Sequence, residues 1–279
     1  MKDLKEILTL TRSVGREAAD ILRSYYHQTD NQNLDVKYKQ DDPVTAADIA
    51  VNHFILEKLQ TALGTEDFAY ISEETYTAGQ DTQEWVWIID PLDGTRDFIE
   101  KTGEYAIHIA LVKQKRPVLA VVAVPEAGKL YYAIKGSGAF VENRDGESFP
   151  LQTSSHKPLK DLTVVVSRSH RNERLEYLLQ HLPCQNQKAI GSVGCKIATI
   201  VEQNADVYIS LSGKSAPKDW DIAAPELILT EAGGKYTHFD GTPLQYNTGD
   251  INQWGGLLAS NGQYHEILCQ EAEKILESY

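Results

Sequence analysis

WVWIIDPLDGTRDF, residues 85–98, is the stretch on which the fold turns. Its opening run from Trp85 is apolar until Asp90, and it reads as a buried strand that ends in an acid. Pro91 has no N–H to give, so it is expected to stop the ladder there and stiffen a turn. Asp93 lies just beyond, near enough across that turn for both carboxylates to face one cation. Gly94 withholds a side chain where a phosphate would approach the backbone. Thr95 is placed to cap a following helix, whose first N–H groups would meet an anion. Hard oxygen donors on a short rigid turn suit Mg²⁺, which takes one or two carboxylates and keeps positions for water and phosphate. The bland alternative is an Asp-rich turn with a threonine cap. It leaves unexplained why an acid should end an apolar strand.

Working outward, three more acidic signals stand at the ends of regular elements. In DDPVTAAD (residues 41–48), Thr45 and Asp48 open a second helix that carries Ala47, Val51, Ile55 and Leu59 on one face. In ISEE (residues 71–74), Ile71 closes a strand and Glu73 and Glu74 follow it. In KDWDIAAPELIL (residues 218–229), Asp221 follows Trp220 at a helix entrance. Each alone reads as a cap or a solvated charge. Together they occupy the places where binding groups gather.

The remaining elements frame these signals. Leu4, Ile7, Leu8, Thr11, Ala18, Ile21, Leu22 and Tyr25 recur at helical spacing and predict an amphipathic first helix. Strand-like runs at Tyr105–Val112, Val118–Val124, Leu130–Ile134 and Ala139–Glu142, separated by short turns, predict an antiparallel sheet. Past the segment Arg144–Pro158 strands and helices alternate: Thr163–Ser167, Glu173–His181, Lys188–Ile190, Lys196–Glu202, Asp206–Leu211, Asp221–Glu231, then a strand and helix within Gly256–Glu277. The first part, 1–145, reads as an α+β metal-binding half, and 146–279 as an α/β half that carries Asp221 and the substrate-binding residues.

The charge balance constrains partners. The chain has 279 residues with 27 Lys+Arg against 40 Asp+Glu, a net charge of −13 that repels nucleic-acid polymers and anionic membranes. A phosphorylated substrate then needs a local reversal of the field, which a divalent cation supplies. The 3 cysteines, Cys184, Cys195 and Cys269, form no CxxC pair and point to a reducing compartment. The N-terminal MKDLKEILTL mixes charge into its apolar residues, unlike a signal peptide, and no run is long enough to span a bilayer. The expectation is a cytoplasmic protein acting on a small molecule. Its oligomeric state stays open.

DPLDGT, the upstream SEE and DPVTAAD, and the downstream WDIAAPE…EAGG resemble the lithium-sensitive inositol monophosphatase superfamily over nearly the whole chain. SRSH (residues 167–170), SVGCK (residues 192–196) and WDIAAPELILTEAGGKY are most similar to its 3′(2′),5′-bisphosphate nucleotidases. The resemblance implies a layered α-β-α-β-α sandwich of the sugar-phosphatase type. It further implies two or three Mg²⁺ ions held by Glu73, Asp90, the Leu92 carbonyl, Asp93 and Asp221. Asp48 would hold the third ion and, with Thr95, orient the attacking water, with Glu73 also in the catalytic group. Gly94 and Thr95 would grip the scissile phosphate. His170, Ser192, Lys196 and Asp221 would hold the rest of the nucleotide. Lithium inhibition is implied too. The chain departs from the pattern at Val193 and Gly194, where many bacterial members have a serine pair, and at Arg96-Asp97, where Lys-Glu is common.

The substrate this suggests is 3′-phosphoadenosine 5′-phosphate, cleaved to AMP and phosphate, with an inositol or other sugar phosphate as the alternative. Ile190–Val193 and Trp220 are candidates for a wall against the adenine, although core packing explains them equally. A covalent aspartyl mechanism, as in haloacid-dehalogenase-type phosphatases, needs two aspartates separated by one residue, whereas Pro91 and Leu92 both intervene here. Ser169-His170 is a poor nucleophile–base pair, since adjacent residues on extended chain point to opposite sides. A non-catalytic metal or nucleotide sensor would be expected to have lost one of Asp48, Glu73, Asp90, Asp93, Thr95 and Asp221.

Overall fold

The computed structural model describes residues 3–28, 36–39, 42–77, 83–155, 157–169 and 171–279. In chain order the first half gives α1 (Leu4–Tyr26), β1 (Lys37–Lys39), β2 (Asp42–Val44), α2 (Ala46–Leu63), β3 (Phe68–Ser72), β4 (Trp85–Asp93) and α3 (Thr95–Ile99). Then come β5 (Ala106–Lys113), β6 (Arg116–Val124), β7 (Lys129–Ile134), β8 (Ala139–Glu142) and β9 (Ser148–Leu151). The second half gives β10 (Thr163–Ser167), α4 (Glu173–His181), β11 (Asn186–Ile190), α5 (Val193–Val201), β12 (Val207–Leu211), α6 (Asp219–Glu231), β13 (Lys235–His238), β14 (Gly256–Ser260) and α7 (His265–Glu277).

The apolar run of β4 is explained by burial on both of its faces. Trp87 and Ile89 point to one side, where they meet Val14 and Leu22 of α1 and Val51 and Ile55 of α2. Val86 and Ile88 point to the other, into a central core with Ile197 and Ile200 of α5 and Ile222 and Leu227 of α6. That central core continues onto Val165, Tyr208 and Leu257 of a second sheet. The far face of the second sheet, with Val164, Val166 and Ile209, packs on Leu175 and Leu178 of α4 and Leu268 of α7. The layers therefore run α-β-α-β-α, as the motifs implied. Removing a fully buried side chain such as Ile89 typically costs about 2–5 kcal/mol.

The first sheet has 7 strands in the order β3-β4-β5-β6-β7-β8-β9. Only its β3–β4 pair is parallel. The second has 5 strands in the order β11-β10-β12-β14-β13, parallel at β11-β10-β12 and antiparallel beyond. Helix α6 has nearly every residue from Asp219 to Leu229 buried, because it lies between the two sheets. Its N-terminus thereby meets the end of β4.

Three local readings change. Pro91 does not stop β4: the strand runs on to Asp93, which pairs with Ala106, and a register shift between Asp90 and Asp93 absorbs the missing donor. Thr95 is not the cap of α3. Gly94 takes that position at φ 92°, and Thr95 is the first helical residue. The short strands β1, β2, β9 and β13 lie outside the elements predicted from the sequence. Among the described residues, no helix is long and apolar enough to cross a membrane. Cys184, Cys195 and Cys269 are free and buried.

Candidate active site

The site forms where three chain directions end: β3, the β4 turn and the N-terminus of α6. Parallel pairing of β3 with β4 extends through the Glu73 N–H, which donates to the Ile89 carbonyl at 3.2 Å. This brings the Glu73 carboxyl group beside that of Asp90. Asp90 is 1% exposed. Burial, then the charges of Glu73, Asp93 and Asp221, push its carboxyl well above the usual range. Glu73 is raised in the same way by burial and by Asp221, Glu74 and Asp48. Asp90 Oδ1 also accepts from the Leu92 N–H at 2.9 Å, which fixes the turn.

Asp93 has different surroundings. Burial would raise its carboxyl, but His108, Ser192 and Lys196 outweigh that and hold it at about 2. The Ser192 hydroxyl donates to Asp93 Oδ2 at 2.5 Å and the Gly194 N–H donates to the same oxygen at 2.9 Å. His108 Nε2 stands 3.1 Å from that oxygen, within ionic reach but off the line of a well-formed hydrogen bond. Ser192 adopts φ 45°, a strained value for a serine. Gly94 faces it closely: a Cβ there would come within 3.3 Å of Ser192 Cβ and 3.0 Å of the Glu104 carbonyl.

Asp48 and Thr95 form a third group. Thr45 caps α2, and Asp48 answers it in a capping box, with Oδ2 accepting from Thr45 N–H at 2.7 Å and from its hydroxyl at 2.5 Å. The other oxygen, Oδ1, lies 3.2 Å from Thr95 Oγ1, which is also 3.1 Å from the Leu92 carbonyl. Burial raises Asp48 to about 6 against the hydrogen bonds from Thr45. Asp221 closes the far side. Its Oδ2 accepts from the Lys218 N–H at 2.7 Å, and burial together with Asp93 lifts it to about 7.

Other residues singled out from sequence have mixed placements. Lys196 is 2% exposed, and its ammonium lies 3.3 Å from the Gly191 carbonyl and 3.1 Å from that of Ser192. Lys196 is thus a buried lysine and not a solvated helical one. The Ser192 hydroxyl is committed to Asp93 and to the Cys195 N–H. Ile190 and Trp220 are buried in the central core and Val193 packs against it, with Tyr76 lying on Trp220. His170 lies outside the described residues. Sequence reasoning passed over His108, which a single polar residue in the apolar run AIHIALV (residues 106–112) should have signalled.

The donor set fits a hard divalent cation. Glu73, Asp90, Asp93 and Asp221 are oxygen donors, and the influences that dominate Asp90 are burial and three other carboxylates. A cation placed among them relieves both. Among the described residues, no three of the His, Cys, Asp and Glu side chains close into a cage by themselves. Mg²⁺ does not require one, since water and phosphate complete its shell.

Comparison with known proteins now places the chain. A model described as "Inositol monophosphatase family" matches residues 3–277. The chain belongs to the inositol monophosphatase family. It is 34% identical over 238 residues to a protein of Aggregatibacter actinomycetemcomitans named 3′(2′),5′-bisphosphate nucleotidase CysQ, covering 84% of this chain and 85% of that one. The like-named Salmonella typhimurium protein is 36% identical over 236 residues, 84% and 91% of the two chains. Among solved structures, CysQ from Bacteroides thetaiotaomicron superposes with a TM-score of 0.77 at 25% identity, covering 92% of this chain and 98% of that one. The Thermotoga maritima IMPase gives 0.80 at 23% identity over 98% and 99%, a likeness of fold. Family and relatives together make this family member a phosphatase.

Proposed function

We propose that the chain is a Mg²⁺-dependent phosphomonoesterase that hydrolyses the 3′-phosphate of 3′-phosphoadenosine 5′-phosphate, giving AMP and phosphate. The observation that carries this is the meeting of Glu73, Asp90, Asp93 and Asp221 in a chain 34% to 36% identical to proteins named bisphosphate nucleotidases. When bound, two or three Mg²⁺ ions, held by these four carboxylates, the Leu92 carbonyl and Asp48, would acidify water and offset the charge of the phosphate.

The chain's own groups do the rest. Thr95 Oγ1, 3.2 Å from Asp48 Oδ1, orients the attacking water. Asp48 Oδ1 accepts from the Thr95 hydroxyl and so holds it in line for that water. Gly94, lacking a side chain at φ 92°, lets the phosphate reach the backbone N–H groups of Gly94 and Thr95. His170, Ser192, Lys196 and Asp221 hold the nucleotide and its second phosphate. Lithium inhibits by taking a Mg²⁺ position.

A second reading, an inositol or other sugar phosphate as substrate, is favoured by one observation. The Lys196 ammonium is turned onto backbone carbonyls inside the protein, not out towards a second phosphate. The deciding experiment measures phosphate release from 3′-phosphoadenosine 5′-phosphate and inositol 1-phosphate, each with and without Mg²⁺. Mg²⁺-dependent preference for the nucleotide is expected. Preference for the inositol phosphate overturns the nucleotide assignment and keeps the carboxylate site. Tight binding without release would mark a sensor.

A further inference from the structure

His108 occupies the middle of β5 with 0% exposure, and its ring touches both sides of the site. Nε2 lies 3.1 Å from Asp93 Oδ2. Nδ1 lies 3.2 Å from the carbonyl of Trp220, the residue before Asp221. One imidazole thus links the end of β4 to the N-terminus of α6. Nδ1 is within hydrogen-bonding distance of the α6 carbonyl, and Nε2 meets the Asp93 carboxylate at ionic range, so the ring contacts an oxygen of each element.

The space around the ring is shaped for it. A Cβ at Gly194 would collide with His108 Nε2, and would lie 2.8 Å from Ala106 Cβ and 3.0 Å from Val122 Cγ1. With no Cβ, Gly194 admits the ring and also brings its own N–H to Asp93 Oδ2 at 2.9 Å. Gly194 and the histidine in β5 therefore fit one another. The Ser192 hydroxyl, the Gly194 N–H and the imidazole all converge on Oδ2.

We infer that His108 is a positioning residue for the metal site: by engaging Asp93 Oδ2 and the Trp220 carbonyl together, it keeps Asp93 Oδ1 for the cation and sets Asp93 against Asp221. The inference rests on the Mg²⁺ reading above. Partners that orient a ligating carboxylate typically contribute about 10–100-fold to metal affinity. A histidine that merely fills space would be replaced by leucine without such a loss.

The test is calorimetric titration of Mg²⁺ into the substrate-free protein, comparing wild type with His108→Leu and His108→Gln. Melting temperatures are taken alongside, and KM is measured at saturating Mg²⁺. The expected result is that His108→Leu weakens Mg²⁺ binding about 10–100-fold, while the substrate KM changes less than about threefold. His108→Gln, which keeps an N–H donor, should recover most of the affinity. Wild-type affinity in a folded His108→Leu protein overturns the inference. If His108→Leu does not fold, His108→Gln is compared with His108→Asn, whose shorter amide does not span both partners. Weaker Mg²⁺ binding in His108→Asn than in His108→Gln supports the inference, and equal binding overturns it. A wild-type protein that neither binds Mg²⁺ nor releases phosphate sinks the metal reading itself, and this inference with it.

Discussion

Asp90 and Asp93 stand at the two ends of one short turn, yet the protein treats them in opposite ways. Around Asp93 the second half of the chain supplies a hydroxyl, a backbone N–H and a nearby ammonium, β5 adds an imidazole, and the carboxyl is held at about 2. Around Asp90 the neighbours are Glu73 and Asp221, burial is nearly complete, and the carboxyl is driven up. One end of the turn is neutralised by the fold and the other carries unrelieved repulsion. A cation would gain most where repulsion is unrelieved, and on the reading proposed above it would find a rigid, ionised ligand in Asp93 beside it.

Breaking the neutralised end should have the largest effect. Asp93→Asn replaces the proposed ligand's carboxylate with a neutral amide, so kcat/KM should fall by at least about 10³, measured with the melting temperature as a control for folding. A rate near that of wild type would refute the role of Asp93. Next comes Thr95→Ala, which leaves the carboxylates in place and removes the hydroxyl on Asp48 Oδ1. A loss of about 10²–10³ in kcat is expected, and a loss under about tenfold counts against that role.

The repulsive end can be probed by pH. Asp48 and Asp221 titrate at about 6 and about 7 in the metal-free fold, above the ordinary carboxylate range. Their protonated forms favour the folded state, so this stability is present in acid and is lost as pH rises through those values. Mg²⁺ should then raise the melting temperature by roughly 5 °C at pH 8 and far less at pH 5.5. Asp221→Asn should flatten that difference. An equal Mg²⁺ effect at both pH values would contradict the picture. The smallest effect is expected at Ser169→Ala, where activity within about twofold of wild type separates metal-assisted attack from a serine nucleophile.

Much of this architecture was legible because burial writes itself into sequence. The unbroken apolar run Trp85–Ile89 announced a strand covered on both faces, and Val51, Ile55 and Leu59 announced the buried side of α2. The acids at element ends were legible for the same reason, since each interrupts a pattern that hydrophobic packing would otherwise continue. What escaped was local. Pro91 loses a donor, but a register shift lets the strand continue past it to Asp93. The short strands β9 and β13 carry too few residues for a period to show. His108 was missed because its meaning depends on Gly194 and Trp220, which lie far along the chain and meet it only after folding. The burial of Lys196 was not legible, because helix periodicity does not reveal that α5 lies inside the sandwich.

The most direct test is diffraction from crystals soaked in Mn²⁺ as a surrogate for Mg²⁺, read through its anomalous signal. The account predicts at least one strong peak within coordination distance of both Asp90 and Asp93, with Glu73 or Asp221 in the same shell. Peaks confined to other carboxylates, with none at the β4 turn under saturating Mn²⁺, would contradict it.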